Sequence, residues 1–191
     1  METLTIKLAG IYDRFEAAAA PYKRDAACRK GCAYCCSQAG AIDITTLEGW
    51  AMLDVIATFP LPLRKTVQKA IKKDMARREK GFSSPCPFLD ATHGCRVYDI
   101  RPFSCRRIYS VHACDASHPP MLSRSVMALG DSAIRQLQSL DDTGYSGHLS
   151  YILHLFKTPD FQKIYQTGEF RPQDIASFGK AHAIRINRFM K

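Results

Sequence analysis

Eight cysteines, all of them between Cys28 and Cys114, constrain this chain more than any other feature of its sequence. A chain of 191 residues can bury a core of its own and needs neither disulfides nor a metal to reach stability. The cysteines therefore call for a chemical explanation. The N-terminal segment is interrupted by Asp13, Arg14 and Glu16 and does not read as a secretory signal, so a cytoplasmic location is expected, where thiols stay reduced. No apolar run reaches the roughly 18 residues of a membrane span. With 46% apolar and 24% charged residues, disordered and fibrous classes are excluded.

The first group of thiols is Cys28-x3-Cys32-x2-Cys35-Cys36. Two thiolates separated by two residues can bend round one metal, and a third upstream makes a three-point clasp. Gly31 permits the close backbone approach that such a loop needs. Adjacent Cys35 and Cys36 point in different directions, so one of them is expected to be spare or to serve a second metal. The second group is spread out: Cys86, Cys95, Cys105 and Cys114. Pro85 and Pro87 fix the backbone around Cys86. Arg96, Arg101, Arg106 and Arg107 crowd these thiols, as Arg29 and Lys30 crowd the first group. Cations beside sulfur are expected to lower thiol pKa and to offset the charge of ligated thiolates. His93 and His112 stand next to cysteines and are candidate substitutes for a sulfur ligand, although solvent-exposed loop histidines are the plainer reading. His148 and His154 do not share a helix face and read as unrelated to the chemistry.

Around these loops the periodicity predicts a mainly α protein: helices over 5–20, from the Thr45-x-x-Glu48 capping box onward, and over 63–80, 122–140, 146–156, 159–166 and 174–189. Pro21 is expected to close the first of them. The expected organisation is one domain over 1–191, with a cysteine-cluster module at 28–114 and a helical C-terminal segment at 119–191. The net charge is +9. Between Leu63 and Lys80 eight Lys or Arg face only Asp74 and Glu79. A solvated helix face explains that run better than nucleic-acid binding does, because no aromatic residues interleave with the charges. A protein partner is left open and a membrane partner is not expected. GxSxG, P-loop and GxGxxG motifs are absent.

Three stretches together resemble the bacterial cysteine-cluster proteins of the YkgJ type, described as a zinc- or iron-chelating domain. They are Cys28-x3-Cys32-x2-Cys35-Cys36, then Cys86-Pro87-Phe88-Leu89, then Cys95-Arg96-Val97-Tyr98-Asp99-Ile100-Arg101-Pro102-x-x-Cys105-Arg106. The resemblance spans roughly Cys28 to Arg107. It implies Cys28, Cys32, Cys35, Cys36, Cys86, Cys95 and Cys105 as metal ligands and leaves Cys114 outside the motif. Arg101 and Arg106 are expected to donate hydrogen bonds to sulfur or to carbonyls of the ligand loops.

Zinc and iron–sulfur clusters both accept four thiolates. The x3, x2 spacing favours an iron–sulfur cluster, with Cys28, Cys32 and Cys35 as a near clasp and Cys86, Cys95 and Cys105 closing it. A structural zinc module with a basic interaction surface is the first alternative. An S-adenosylmethionine-dependent protein methyltransferase is the second, because the family's cysteine motif is similar to that of flagellin lysine N-methylases. The loop spacing also matches radical S-adenosylmethionine enzymes, but no strand–helix alternation follows it.

Overall fold

The computed structural model describes residues 1–29, 31–38 and 40–190. In chain order its elements are α1 (Glu2–Lys23), α2 (Tyr34–Ser37), β1 (Asp43–Thr45), α3 (Thr46–Thr58), α4 (Leu61–Arg78), α5 (Phe103–Arg106), α6 (Arg124–Leu140), β2 (Tyr145–His148), α7 (Leu149–Leu155), α8 (Pro159–Gln166), α9 (Ala176–Ala181) and β3 (Arg185–Ile186). Short 3-10 turns lie at Tyr98–Ile100, Pro172–Ile175 and Asn187–Phe189. The protein is mainly α, as its periodicity predicts. Among the described residues no helix is long and apolar enough to cross a membrane.

Helical spacing creates two apolar clusters. In the first, Leu8, Ile11, Tyr12, Phe15 and Ala19 of α1 pack with Val126, Ala133 and Leu137 of α6. Pro21 does not end α1 but sits in its last turn, where only two residues follow and few backbone bonds are left to disturb. In the second cluster, Val67, Ile71 and Met75 of α4 meet Met52 and Ile56 of α3, and Ile152, Leu153 and Leu155 of α7. The cysteine loops join both. Phe88 and Val97 enter the α4–α7 cluster with Cys86 and Cys95 packed against it, while Phe103 and Tyr109 enter the α1–α6 cluster beside Cys28.

Two stretches expected as helix carry strand. β2 is the central strand of a three-stranded antiparallel sheet, ordered β1-β2-β3, with Ile44 opposite Gly147 and Ser146 opposite Arg185. The cause lies in glycines and close approach. A Cβ on Gly144 would stand 2.1 Å from the Thr46 hydroxyl and 2.3 Å from the Asp141 carboxylate, and one on Gly147 would stand 3.1 Å from the Ile184 side chain. The helix expected over 146–156 therefore starts only at Leu149, with His148 Nδ1 accepting from the Ser150 N–H at 3.3 Å. Over 174–189, Ala183 at φ 52 breaks the helical path and sends Arg185 and Ile186 into the sheet.

Two buried carboxylates fasten these elements. Asp141, at the end of α6, accepts from Thr46 Oγ1 at 2.6 Å, the Leu47 N–H at 3.0 Å, Tyr165 Oη at 2.8 Å and Asn187 Nδ2 at 3.0 Å. Glu48 completes the capping box expected at the start of α3: its Oε2 accepts from the Thr45 N–H at 2.8 Å, while Thr45 Oγ1 accepts from the Glu48 N–H at 3.2 Å. The other carboxylate oxygen of Glu48 accepts from Tyr12 Oη and from the Phe103 N–H, both at 2.7 Å. One side chain thus holds α1, α3 and α5 together. Glu48→Ala would leave those buried donors unpaired, at a cost of about 3 kcal/mol. The expected fall in Tm is about 6–12 °C, read by circular dichroism melting. An unchanged Tm would contradict the assigned role.

Candidate metal centre

Each cysteine segment is shaped by local hydrogen bonds. The Cys32 N–H donates to the Arg29 carbonyl at 2.9 Å, closing a turn in which Gly31 takes φ 94, a left-handed conformation that glycine adopts without steric cost. Cys35 and Cys36 follow in the single turn of α2. The Cys36 carbonyl then accepts the Cys86 N–H at 2.7 Å, which joins the two cysteine groups through the backbone. Beyond Cys86, an antiparallel bridge pairs Leu89 with Cys95. Its turn is closed by Asp90 Oδ1, which accepts from the Thr92 and Gly94 N–H groups at 2.8 Å each. A Cβ on Gly94 would lie 2.8 Å from that carboxylate, so glycine before Cys95 serves the turn. Cys105 rides on α5, whose first N–H is the one bound by Glu48.

These segments bring Cys28, Cys32, Cys35, Cys36, Cys86, Cys95 and Cys105 onto the wall of one cavity of about 680 Å³. Cys114 is not on that wall. All eight cysteines are free thiols. Met52, Phe88, Val97 and Leu149 supply apolar lining, and Arg29, Arg101 and Arg106 supply charge. Arg106 Nε donates to the Arg101 carbonyl at 2.8 Å and its Nη2 to the Asp99 carbonyl at 2.7 Å. Its guanidinium also lies over the Tyr12 ring, 4.5 Å from the centroid, and that of Arg101 lies 4.2 Å over Tyr98. Arg96 turns to the Leu89 carbonyl at 2.9 Å, and Arg107 to Asp131 at 3.9 Å. Lys30 lies outside the described residues.

Arg101 acts in the expected direction at Cys36 and Cys95, but the net shift of the thiol pKa values is upward. Burial dominates, and it raises Cys28, Cys36 and Cys95, pushes Cys35 up to about 11 and Cys86 up to about 12, and holds Cys105 well above the usual thiol range. Neighbouring sulfurs add to the rise at five of these six, Cys95 excepted, where Asp90 and Asp99 add to it. The charge of Arg101 opposes the rise at Cys36 and Cys95 without reversing it. A bound cation would reverse it, because coordination deprotonates a thiol outright.

Sequence reasoning marked Glu48 only as a helix cap and missed its bond to the first N–H of α5, and it missed Ser110, whose N–H donates to Cys28 Sγ at 3.2 Å. Neither belongs to a metal-ligand residue pattern, and both bonds join residues far apart in the chain. His93 is exposed at φ 63. His112 Nε2 is shielded from solvent without a hydrogen-bond partner. His148 is not on the cavity wall; it lies 3.7 Å from Asp74, and burial lowers its pKa to about 4.

Among the described residues no group of three or more His, Cys, Asp or Glu side chains stands close enough together to hold a metal ion. The sulfurs instead ring an open cavity. In donor type and number the residues suit a thiolate-bound metal or cluster. No curated protein and no solved structure matches the chain. Residues 27–119 match the model of the CxxCxxCC family, for which a zinc- or iron-chelating domain is proposed. Those residues span every cysteine of the sequence, and the match agrees with the cysteine-cluster family that the motifs resemble.

Proposed function

We propose that the cysteine module holds an iron–sulfur cluster on thiolates drawn from the cavity wall and serves electron transfer. The observation that carries this reading is the set of seven cysteines, none in a disulfide, around one cavity of about 680 Å³. A single zinc ion takes four thiolates at about 2.3 Å and fills little of that room. An iron–sulfur core also takes four thiolates but is larger than one ion, and it supplies reversible one-electron chemistry.

The surrounding residues have definable tasks in this reading. Arg101 offsets negative charge near Cys36 and Cys95. Arg106, bonded to the carbonyls of Asp99 and Arg101, keeps the backbone before Cys105 in place. Met52, Phe88, Val97 and Leu149 limit water at the sulfurs, which tunes the potential of any bound centre.

Anaerobic purification tests the proposal directly. A brown protein with visible sulfur-to-iron absorption, iron and acid-labile sulfide is expected, whereas a colourless protein with zinc and no sulfide would overturn it. Loading is also expected to release protons, because burial keeps Cys35 and Cys86 protonated up to about 11 and about 12. Metal competes with those protons, so affinity rises with pH across about pH 6 to 9. Calorimetric titration in buffers of different ionisation enthalpy measures the release; buffer-independent heats would contradict it.

A further inference from the structure

Cys114 lies off the cavity wall, yet the fold ties its segment to the first cysteine loop. The Ala27 N–H donates to the Ser110 carbonyl at 2.8 Å, and the Ser110 N–H returns to Cys28 Sγ at 3.2 Å. The His112 N–H then bonds Ser110 Oγ at 3.4 Å, and Cys114 Sγ approaches the His112 carbonyl at 3.8 Å, folding the chain back on itself. Cys32 and Cys114 are both electrostatic neighbours of Cys28 and, together with Cys36, of Cys35.

The remaining thiols keep different company. The Cys36 carbonyl accepts the Cys86 N–H at 2.7 Å, and the Leu89–Cys95 bridge folds Cys95 back towards Cys86. Cys86 has Cys36 and Cys95 as neighbours, and Cys105 has Cys86, Cys36 and Cys95. Cys35 and Cys36 fall into different groups because consecutive helical side chains diverge by about 100°. Cys32 also neighbours Cys36, so the two groups lie side by side across α2.

We propose that the eight cysteines form two adjacent four-thiolate centres, Cys28, Cys32, Cys35 and Cys114 around one and Cys36, Cys86, Cys95 and Cys105 around the other. The inference rests on the thiolate-centre reading and refines it. Four thiolates complete the coordination of one tetrahedral ion or one cluster, so eight around a single centre would leave half of them without a metal. The shielded, unpartnered His112 Nε2 is the competing fourth donor of the first centre.

Anaerobic titration of the metal-free full chain with cobalt(II), followed by its thiolate charge-transfer absorption, tests the division. Saturation at two equivalents is expected, falling to one in Cys114→Ser and to one in Cys105→Ser, with His112→Ala keeping both. Cys105 is packed deeply, so Cys95→Ser provides the same test of the second centre if circular dichroism shows that Cys105→Ser is misfolded. Saturation of the unmodified chain at one equivalent, or retention of both in Cys114→Ser, would overturn the proposal. Iron and sulfide analysis of the protein as isolated separates the two readings. Two cobalt sites without sulfide leave the division standing and remove the iron–sulfur reading. One cobalt site with iron and sulfide removes the division alone.

Discussion

The structure depends on what Glu48 does inside the protein. A carboxylate only 3% exposed is costly to bury, and it is retained because every direction around it offers a donor. One oxygen takes the Thr45 N–H and hydroxyl and starts α3. The other takes Tyr12 Oη from α1 and the Phe103 N–H at the start of α5. That second pair fixes the start of the helix carrying Cys105, whose Phe103 also packs into the α1–α6 cluster. The cavity is therefore positioned by a polar contact beneath it, with the apolar clusters closing around both sides.

The thiols above this anchor are held in an electrostatically unfavourable state for anions. Burial, helped at most of them by neighbouring sulfurs, raises six of them, and the nearby arginines do not reverse the effect. Such a site gains most from a multivalent cation, which supplies the missing charge and the ligand bonds together. Arg106 spends its donors on carbonyls and its face on Tyr12, so its contribution is to loop geometry. Arg101 stands closer to the sulfurs in effect, because its charge acts on both Cys36 and Cys95.

Local signals in the sequence were readable where the chemistry is local. The Thr45–Glu48 box marks a helix start because both partners lie three residues apart, and Pro159 opens α8 where a fixed φ is welcome. The cysteine spacing and the Arg101-Pro102-x-x-Cys105 element marked the candidate site before any geometry was known. What stayed hidden is long-range. Strands of two to four residues lack an alternating pattern, and β2 pairs with partners far away in the chain. The bonds from Glu48 to Tyr12 and Phe103 span 36 and 55 residues. Burial, which decides the thiol pKa values, is a property of the folded cavity and cannot be read from the arginines beside each cysteine.

X-ray absorption spectroscopy at the iron and zinc edges of anaerobically purified protein tests the central claim most directly. The account predicts a sulfur first shell around iron together with an iron–iron vector, the signature of a cluster held on cysteine thiolates. A first shell of nitrogen and oxygen, or a zinc–sulfur shell without iron, would contradict it.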